Sequence, residues 1–342
     1  MAAVAACAVA ASACNKPHAL GPDDTLIVMA DSELWQLVED TTRSVLEPTV
    51  FTTRPEKRFV VTATSGDDPE FSRLRVFKNI IVFGTPEDTL LAKAAGAAGL
   101  NLDGLQPGRV FEAEDVWARN QRVTGAVLQA GGEAESWAGA LPAILSVVDG
   151  AYRERTRRQM FATPPDTSLV VELRERFGFG VVVPVLYDRV VRAVGEAGDL
   201  PGAAGGDSLV ILRNDNPDPS ELIRSLLITW GPPLAEGEVL TVERAIEWRA
   251  TIDSAHYNVP QALDTSTSSV THFLLGESPG LEVTGVWRDE LTDYPAAGPF
   301  FVWMVGCPER TFYIDAWLYS PDRPKYQYIL QLQEILRSFH CA

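Results

Sequence analysis

The sequence predicts an α+β fold in two lobes, each a mostly antiparallel sheet covered by amphipathic helices, and three observations predict it. Short β-branched apolar runs alternate with stretches of helical periodicity. Four consecutive strand patterns after Thr271, separated by turn residues, read as an antiparallel meander. Each half closes on a strand that leads into an amphipathic helix, Gln121–Ile144 in the first and Thr311–Leu336 in the second.

In order, Thr25–Ala30 (TLIVMA) has the pattern of a short buried strand, and Asp31-Ser32 caps a helix that runs to about Leu46, with Leu34, Leu37, Val38 and Val45 at helical spacing. Arg58–Thr64 and Val76–Gly84 are apolar runs bounded by turn residues and read as strands. Pro86–Ala98 opens with proline and acids, as a helix start does. Arg109–Trp117 leads into the strand Gln121–Gln129, and a long helix covers Glu133 to about Met160, with Trp137, Leu141, Ile144, Leu145, Val148 and Tyr152 on one face.

The second half opens with a helix over Thr167–Phe177, stopped by Gly178, and a strand over Gly180–Tyr187 whose Pro184 demands an edge or a bulge. Ala197–Asp207 is rich in Gly and Ala and has no period. Ser208–Arg213 reads as a strand, and Asp218-Pro219-Ser220-Glu221 starts a helix to about Trp230. Gly231–Asp264 carries mixed signals. The meander follows as His272–Gly276, Leu281–Arg288, Pro299–Val305 and Thr311–Tyr319, and Lys325–Phe339 is a helix with one apolar stripe.

At 342 residues, with 46% hydrophobic and 22% charged residues, the chain is globular and long enough for two lobes. A formal charge of −17, from 46 acids against 29 bases, argues against nucleic acid or an anionic lipid surface as the main partner. Met1–Cys14 (MAAVAACAVAASAC) is a short apolar run ending in Ala11-Ser12-Ala13-Cys14, the small-residue pattern after which bacterial lipoproteins are cleaved, with the cysteine left to carry lipid. Lys and Arg are missing before Cys14, a departure that a start site placed too late explains. The expected organisation is therefore a lipoprotein signal peptide over 1–13, a polar Pro/Gly tether over 14–24, an N-terminal lobe over 25–164 and a C-terminal lobe over 165–342.

A series of strings resembles an uncharacterised family of bacterial envelope lipoproteins, domain of unknown function 4837. They are Cys14 followed by Lys16-Pro17, Leu26-Ile27-Val28-Met29 with Trp35, Trp117-Ala118-Arg119-Asn120-Gln121, Phe177-Gly178 with Val183-Pro184 and Tyr187, Gly285-Val286-Trp287, Gly298-Pro299-Phe300, and Trp317-Leu318-Tyr319-Ser320-Pro321 with Lys325. No single string is specific; their order and spacing along nearly the whole chain are. The resemblance implies a lipid-anchored, envelope-facing α+β protein without an assigned activity.

Chemistry-bearing patterns are sparse. The histidines at 18, 256, 272 and 340 stand apart, with no metal-ligand spacing, so neither metal nor cofactor is expected. Gly-x-Ser-x-Gly between a strand pattern and a helix pattern, the context a hydrolase nucleophile of that kind needs, is missing. Cys307 and Cys341 remain once Cys7 leaves with the signal and Cys14 takes lipid, and they are candidates for a disulfide. Asp253 with His256-Tyr257 is a polar trio best explained by a surface loop. Glu112, Glu114 and Asp115, or Asp289, Glu290 and Asp293, are carboxylate groups of the kind that glycan cleavage uses. Trp117, Arg119 and Gln121 at a sheet end, and Trp287 and Trp317 on neighbouring strands, are the candidate ligand-facing residues, with turn setting and core packing as the competing explanations. The favoured function is a non-catalytic binding or assembly role toward an envelope protein or glycan, on a membrane reached through the N-terminal lipid. The alternative is an envelope hydrolase acting on glycan or peptide.

Overall fold

The computed structural model describes residues 16–102, 104–193, 208–257, 261–289 and 296–342. Cys14, the Ala197–Asp207 stretch, Glu290 and Asp293 lie outside the described residues. The chain divides into two compact units, 1–50 with 57–155, and 51–56 with 156–342. The division falls inside the long helix, earlier than the expected 164/165 boundary, and assigns the short segment Phe51–Glu56 to the second unit.

The first unit holds β1 (Thr25–Met29), α1 (Ser32–Leu46), β2 (Thr49–Phe51), β3 (Pro55–Lys57), β4 (Val60–Thr64), α2 (Phe71–Leu74), β5 (Asn79–Gly84), α3 (Thr89–Ala97), β6 (Val110–Glu114), β7 (Arg122–Val127) and most of α4 (Glu133–Met160), with the short β2–β3 pair lying across the division. Its five-stranded sheet runs β4-β1-β5-β7-β6. α1 starts as expected, with Asp31 accepting from the N–H groups of Glu33 and Leu34, whereas α3 starts after Asp88, which accepts from the Leu91 N–H, and not at Pro86.

Taken together the sheets are mostly antiparallel and the chain is α+β. The first sheet departs from the expectation: β1 is parallel to β4 and β5, β5 is parallel to β7, and only β6 runs antiparallel, beside β7. The physical reason is burial on both faces. Leu26–Met29 and Ile80–Phe83 are buried without alternation, as strands covered on both faces are, and helical connections allow parallel neighbours. On one face Ile27, Met29, Ile80 and Val82 pack with Leu91, Ala94 and Ala95 of α3. On the other, Phe83 stacks on Trp137 of α4 with ring centroids 3.8 Å apart, and the Trp137 indole donates to Thr42 Oγ1 of α1 at 2.7 Å.

The second unit continues with α5 (Thr167–Phe177), β8 (Phe179–Gly180), β9 (Asp188–Ala193), β10 (Ser208–Asn214), β11 (Ile223–Gly231), α6 (Val242–His256), β12 (Gln261–Leu275), β13 (Ser278–Asp289), β14 (Ala297–Gly306), β15 (Thr311–Tyr319), α7 (Tyr326–Arg337) and β16 (His340–Cys341). Its seven-stranded sheet, β12-β13-β14-β15-β11-β10-β9, is antiparallel throughout.

Gly178 ends α5 with φ +78°, a conformation that glycine adopts without Cβ strain. The expected helix over 218–230 is instead a turn followed by β11. Asp218 does cap locally, accepting from the Ser220 N–H, but Ile223–Trp230 lies between β10 and β15, where pairing on both sides outweighs helix propensity. The strand expected over Gly180–Tyr187 is reduced to Phe179–Gly180, since Pro184 has no N–H to give a ladder.

One face of this sheet carries Leu281, Val283, Trp287, Phe300, Val302, Met304, Tyr313 and Trp317 beneath α6. Side-chain alternation places Phe312 on the other face, where it meets Phe179 and Phe339 at centroid distances of 5.2 and 5.4 Å.

Candidate functional site, a buried arginine–aspartate network

The polar feature that stands out lies beneath α6. β15 occupies the centre of the seven-stranded sheet, and among its apolar residues it presents Asp315 on the same face as Tyr313 and Trp317. The Asp315 side chain is 0% exposed. A carboxylate in such a place needs partners, because burial of an uncompensated charge costs several kcal/mol or more. α6 supplies them. Its buried face includes Ala245, Arg249 and Ile252, and the Arg249 side chain is 1% exposed.

Arg249 Nε donates to Asp315 Oδ1 at 3.1 Å, and Nη2 donates to Gln261 Oε1 at 2.7 Å. The guanidinium also lies over the Phe300 ring, 4.5 Å from its centroid. Just past the end of α6 the Tyr257 hydroxyl donates to Asp315 Oδ2 at 2.7 Å, so both carboxylate oxygens are engaged. Asp253 closes the group by accepting from the Gln261 N–H at 2.7 Å. Arg249 Nη1 is buried without a hydrogen bond to any of the described residues.

Burial of its hydroxyl, together with the adjacent Asp315 charge, holds the Tyr257 phenol well above its ordinary range, so it stays a donor. Burial likewise raises the Asp253 carboxyl, with the Asp315 charge adding to the effect, against the opposing Gln261 N–H and Arg249. The arrangement ties the end of α6 and the start of β12 to the central strand through charge-assisted bonds. With Arg249 and Asp315 both enclosed, neither is placed to reach a substrate in solvent.

Trp287 and Trp317 form one wall of this region, 4% and 6% exposed, with rings edge-on at 5.6 Å, and Tyr257 meets Trp317 edge-on at 5.7 Å. Of the two readings open for them, ligand-facing or core, their burial fits core: the alternation of β13 and β15 directs both indoles under α6. Trp117 and Gln121 are buried as well. Trp117 belongs to the α3-side core of the first unit. Gln121, 2% exposed, accepts from the Trp117 N–H at 2.9 Å and donates to the carbonyls of Arg75 and Phe77, each at 2.8 Å. It sets the turn before β7. Arg119 is exposed, and its backbone pairs with Pro17 and Ala19.

Glu112 and Glu114 are exposed and each lies 3.5 Å from Arg122; Asp115 caps its own turn through the Asn120 N–H. Asp289 is buried. Cys307 and Cys341 are joined in a disulfide with Cα atoms 5.9 Å apart, which ties the end of β14 to the C-terminal β16. Among the described residues there is no cluster of three or more His, Cys, Asp or Glu able to hold a metal. The surface-loop explanation of Asp253 and Tyr257 is corrected, since Asp253 lies on α6 and both join the network beneath it, where pairing with Gln261 and Asp315 holds them; Arg249 and Asp315 were missed. The available signal was a lone aspartate in the otherwise apolar run Thr311–Tyr319 and a lone arginine on the apolar face of a helix.

No family model matches the chain, and no curated protein matches it. Among solved structures it is similar to the solution structure of cyanobacterial PsbP (CyanoP) from Synechocystis sp. PCC 6803, with 13% identity and a TM-score of 0.32 over 48% of this chain and 87% of that one. It is also similar to the immunity protein TplEi of the T6SS from Pseudomonas aeruginosa, in complex with "L" peptide, with 11% identity and a TM-score of 0.23 over 45% of this chain and 58% of that one.

Proposed function

We propose that this chain is a lipid-anchored cell-envelope protein, held to a membrane through Cys14, with a non-catalytic binding or assembly role toward an envelope protein or glycan. The observation that carries the reading is the Cys307–Cys341 disulfide. Disulfides persist in oxidising compartments outside the cytosol, and Cys14 stands at the end of an apolar run with the small residues of a lipoprotein cleavage site. The string series that resembles an envelope lipoprotein family is consistent with it, although no family model matches the chain.

The test is expression of the full-length chain in a bacterial host, beside Cys14→Ala. Wild type in the membrane fraction with a lipid-sized mass increment, the variant released, and Cys307 and Cys341 resistant to alkylation until reduced are the expected results. Soluble, unprocessed protein in both cases overturns the reading.

A further inference from the structure

The segment after Cys14 is not the free tether that its Pro/Gly content suggests. Pro17 O accepts from the Arg119 N–H at 2.8 Å, the Ala19 N–H donates to Arg119 O at 2.8 Å, and Leu20 exchanges bonds with Val76 O and the Lys78 N–H, each at 2.9 Å. Lys16 Nζ reaches Asp115 O at 2.5 Å. Gly21, at φ +85°, lies so close over the Phe77 ring that an added Cβ would fall 2.5 Å from it. The Asp23 carboxylate pairs with Lys78 at 3.0 Å, and the Asn79 side chain donates to Asp23 O at 2.8 Å. From Lys16 onward the chain is thus part of the first unit.

This changes the reach of an anchor at Cys14. A free tether over 14–24 would let the folded body stand up to about 35 Å from the bilayer at full extension. With Lys16 already docked, two peptide units remain, a span of at most about 7 Å, close to the depth of one headgroup layer.

We infer that the surface built by Lys16–Leu20 with Arg119 and Asn120 is a membrane-facing surface, held against the phospholipid headgroups by the shortness of the link to Cys14. The inference rests on the anchor reading above and adds the surface and its partner. The composition fits an interface. Arg119 is exposed and offers its guanidinium to phosphates, Lys16 adds a second positive charge beside it, and Leu20 is 57% exposed. Acids at the same end, Glu112 and Glu114, are held by Arg122.

Topology fixes the rest of the orientation. β1, β5 and β7 all begin at this end, so their carboxyl ends point away from it, and there stand the acidic starts of α1 and α3 at Asp31 and Asp88. Leu20 and Arg119 therefore lie at the lipid side of the unit and Glu87 at the far side.

The test uses the full chain with Cys7→Ser, which leaves Cys14 as the one thiol outside the disulfide. Cys14 is coupled to a maleimide-bearing phosphatidylethanolamine in vesicles of phosphatidylethanolamine and phosphatidylglycerol. The photoreactive residue p-benzoylphenylalanine replaces Leu20, Arg119 or Glu87 in turn, all exposed positions, and lipid adducts are measured by mass after illumination. Adduct yields at Leu20 and Arg119 several-fold above that at Glu87 are expected. Equal yields at the three positions, or a higher yield at Glu87, overturn the inference. Chemical coupling supplies the anchor whatever the cell does with Cys14, so this result stands apart from the fractionation test of the anchor itself.

Discussion

Arg249 Nε meets Asp315 Oδ1 at 3.1 Å where neither side chain is more than 1% exposed. An ion pair in this setting contributes little net stability, because desolvation of both charges offsets their attraction, yet removal of one partner strands the other. Asp315→Ala should therefore destabilise the second unit by about 3–5 kcal/mol. The double variant Arg249→Met, Asp315→Leu should recover most of that loss. Urea denaturation of the two variants beside wild type decides it, and a single variant that loses under about 1 kcal/mol would contradict the pairing.

Asp253 gives the same network a pH dependence. Burial raises its carboxyl above the ordinary value, so the folded chain holds this proton more tightly than the unfolded chain does. Its contribution is fully present below the ordinary carboxylate range and is lost as pH rises through the raised value. Asp253→Asn keeps an acceptor for the Gln261 N–H and removes the charge. The variant should be more stable than wild type at neutral pH, and the gain should vanish at about pH 2, well below the ordinary Asp value, where the wild-type carboxyl is protonated in both states. Urea midpoints at the two pH values measure it.

Gln121 joins three backbone groups of the first unit, and no substitute of similar size makes both the acceptor and the two donor contacts. Gln121→Ala leaves the carbonyls of Arg75 and Phe77 and the Trp117 N–H without that partner, a loss of about 1–3 kcal/mol. A lowered Tm by circular dichroism is the expected result. Unchanged stability would mean that the turn before β7 holds without it.

The disulfide closes a span of 34 residues. The double variant Cys307→Ser, Cys341→Ser should lose about 2–4 kcal/mol. Reductant should lower the urea midpoint of wild type toward that of the variant and leave the variant unmoved. A reductant effect of equal size in both would place its cause elsewhere.

Much of the secondary structure was legible in local pattern, because its causes are local. Asp31 and Asp88 cap helices that their own neighbours continue, Gly178 stops α5, and the meander from β12 to β15 is bounded by its own turns. Ile223–Trp230 was misread for the opposite reason. Its apolar residues suit a helix or a buried strand, and the choice came from β10 and β15, strands that lie before and after it in sequence.

The sequence by itself determined the α+β class, most helix boundaries and the meander of the last sheet, since each follows from contacts within a few residues. Tertiary structure alone decided three things. It made the first sheet largely parallel, by burying β1 and β5 on both faces. It turned Lys16–Asp24 from a tether into a docked edge of the first unit, through backbone bonds to residues as distant as Arg119. And it brought Arg249 to Asp315, 66 residues on, because a charge in the centre of a sheet is tolerated only where the fold supplies its counter-charge.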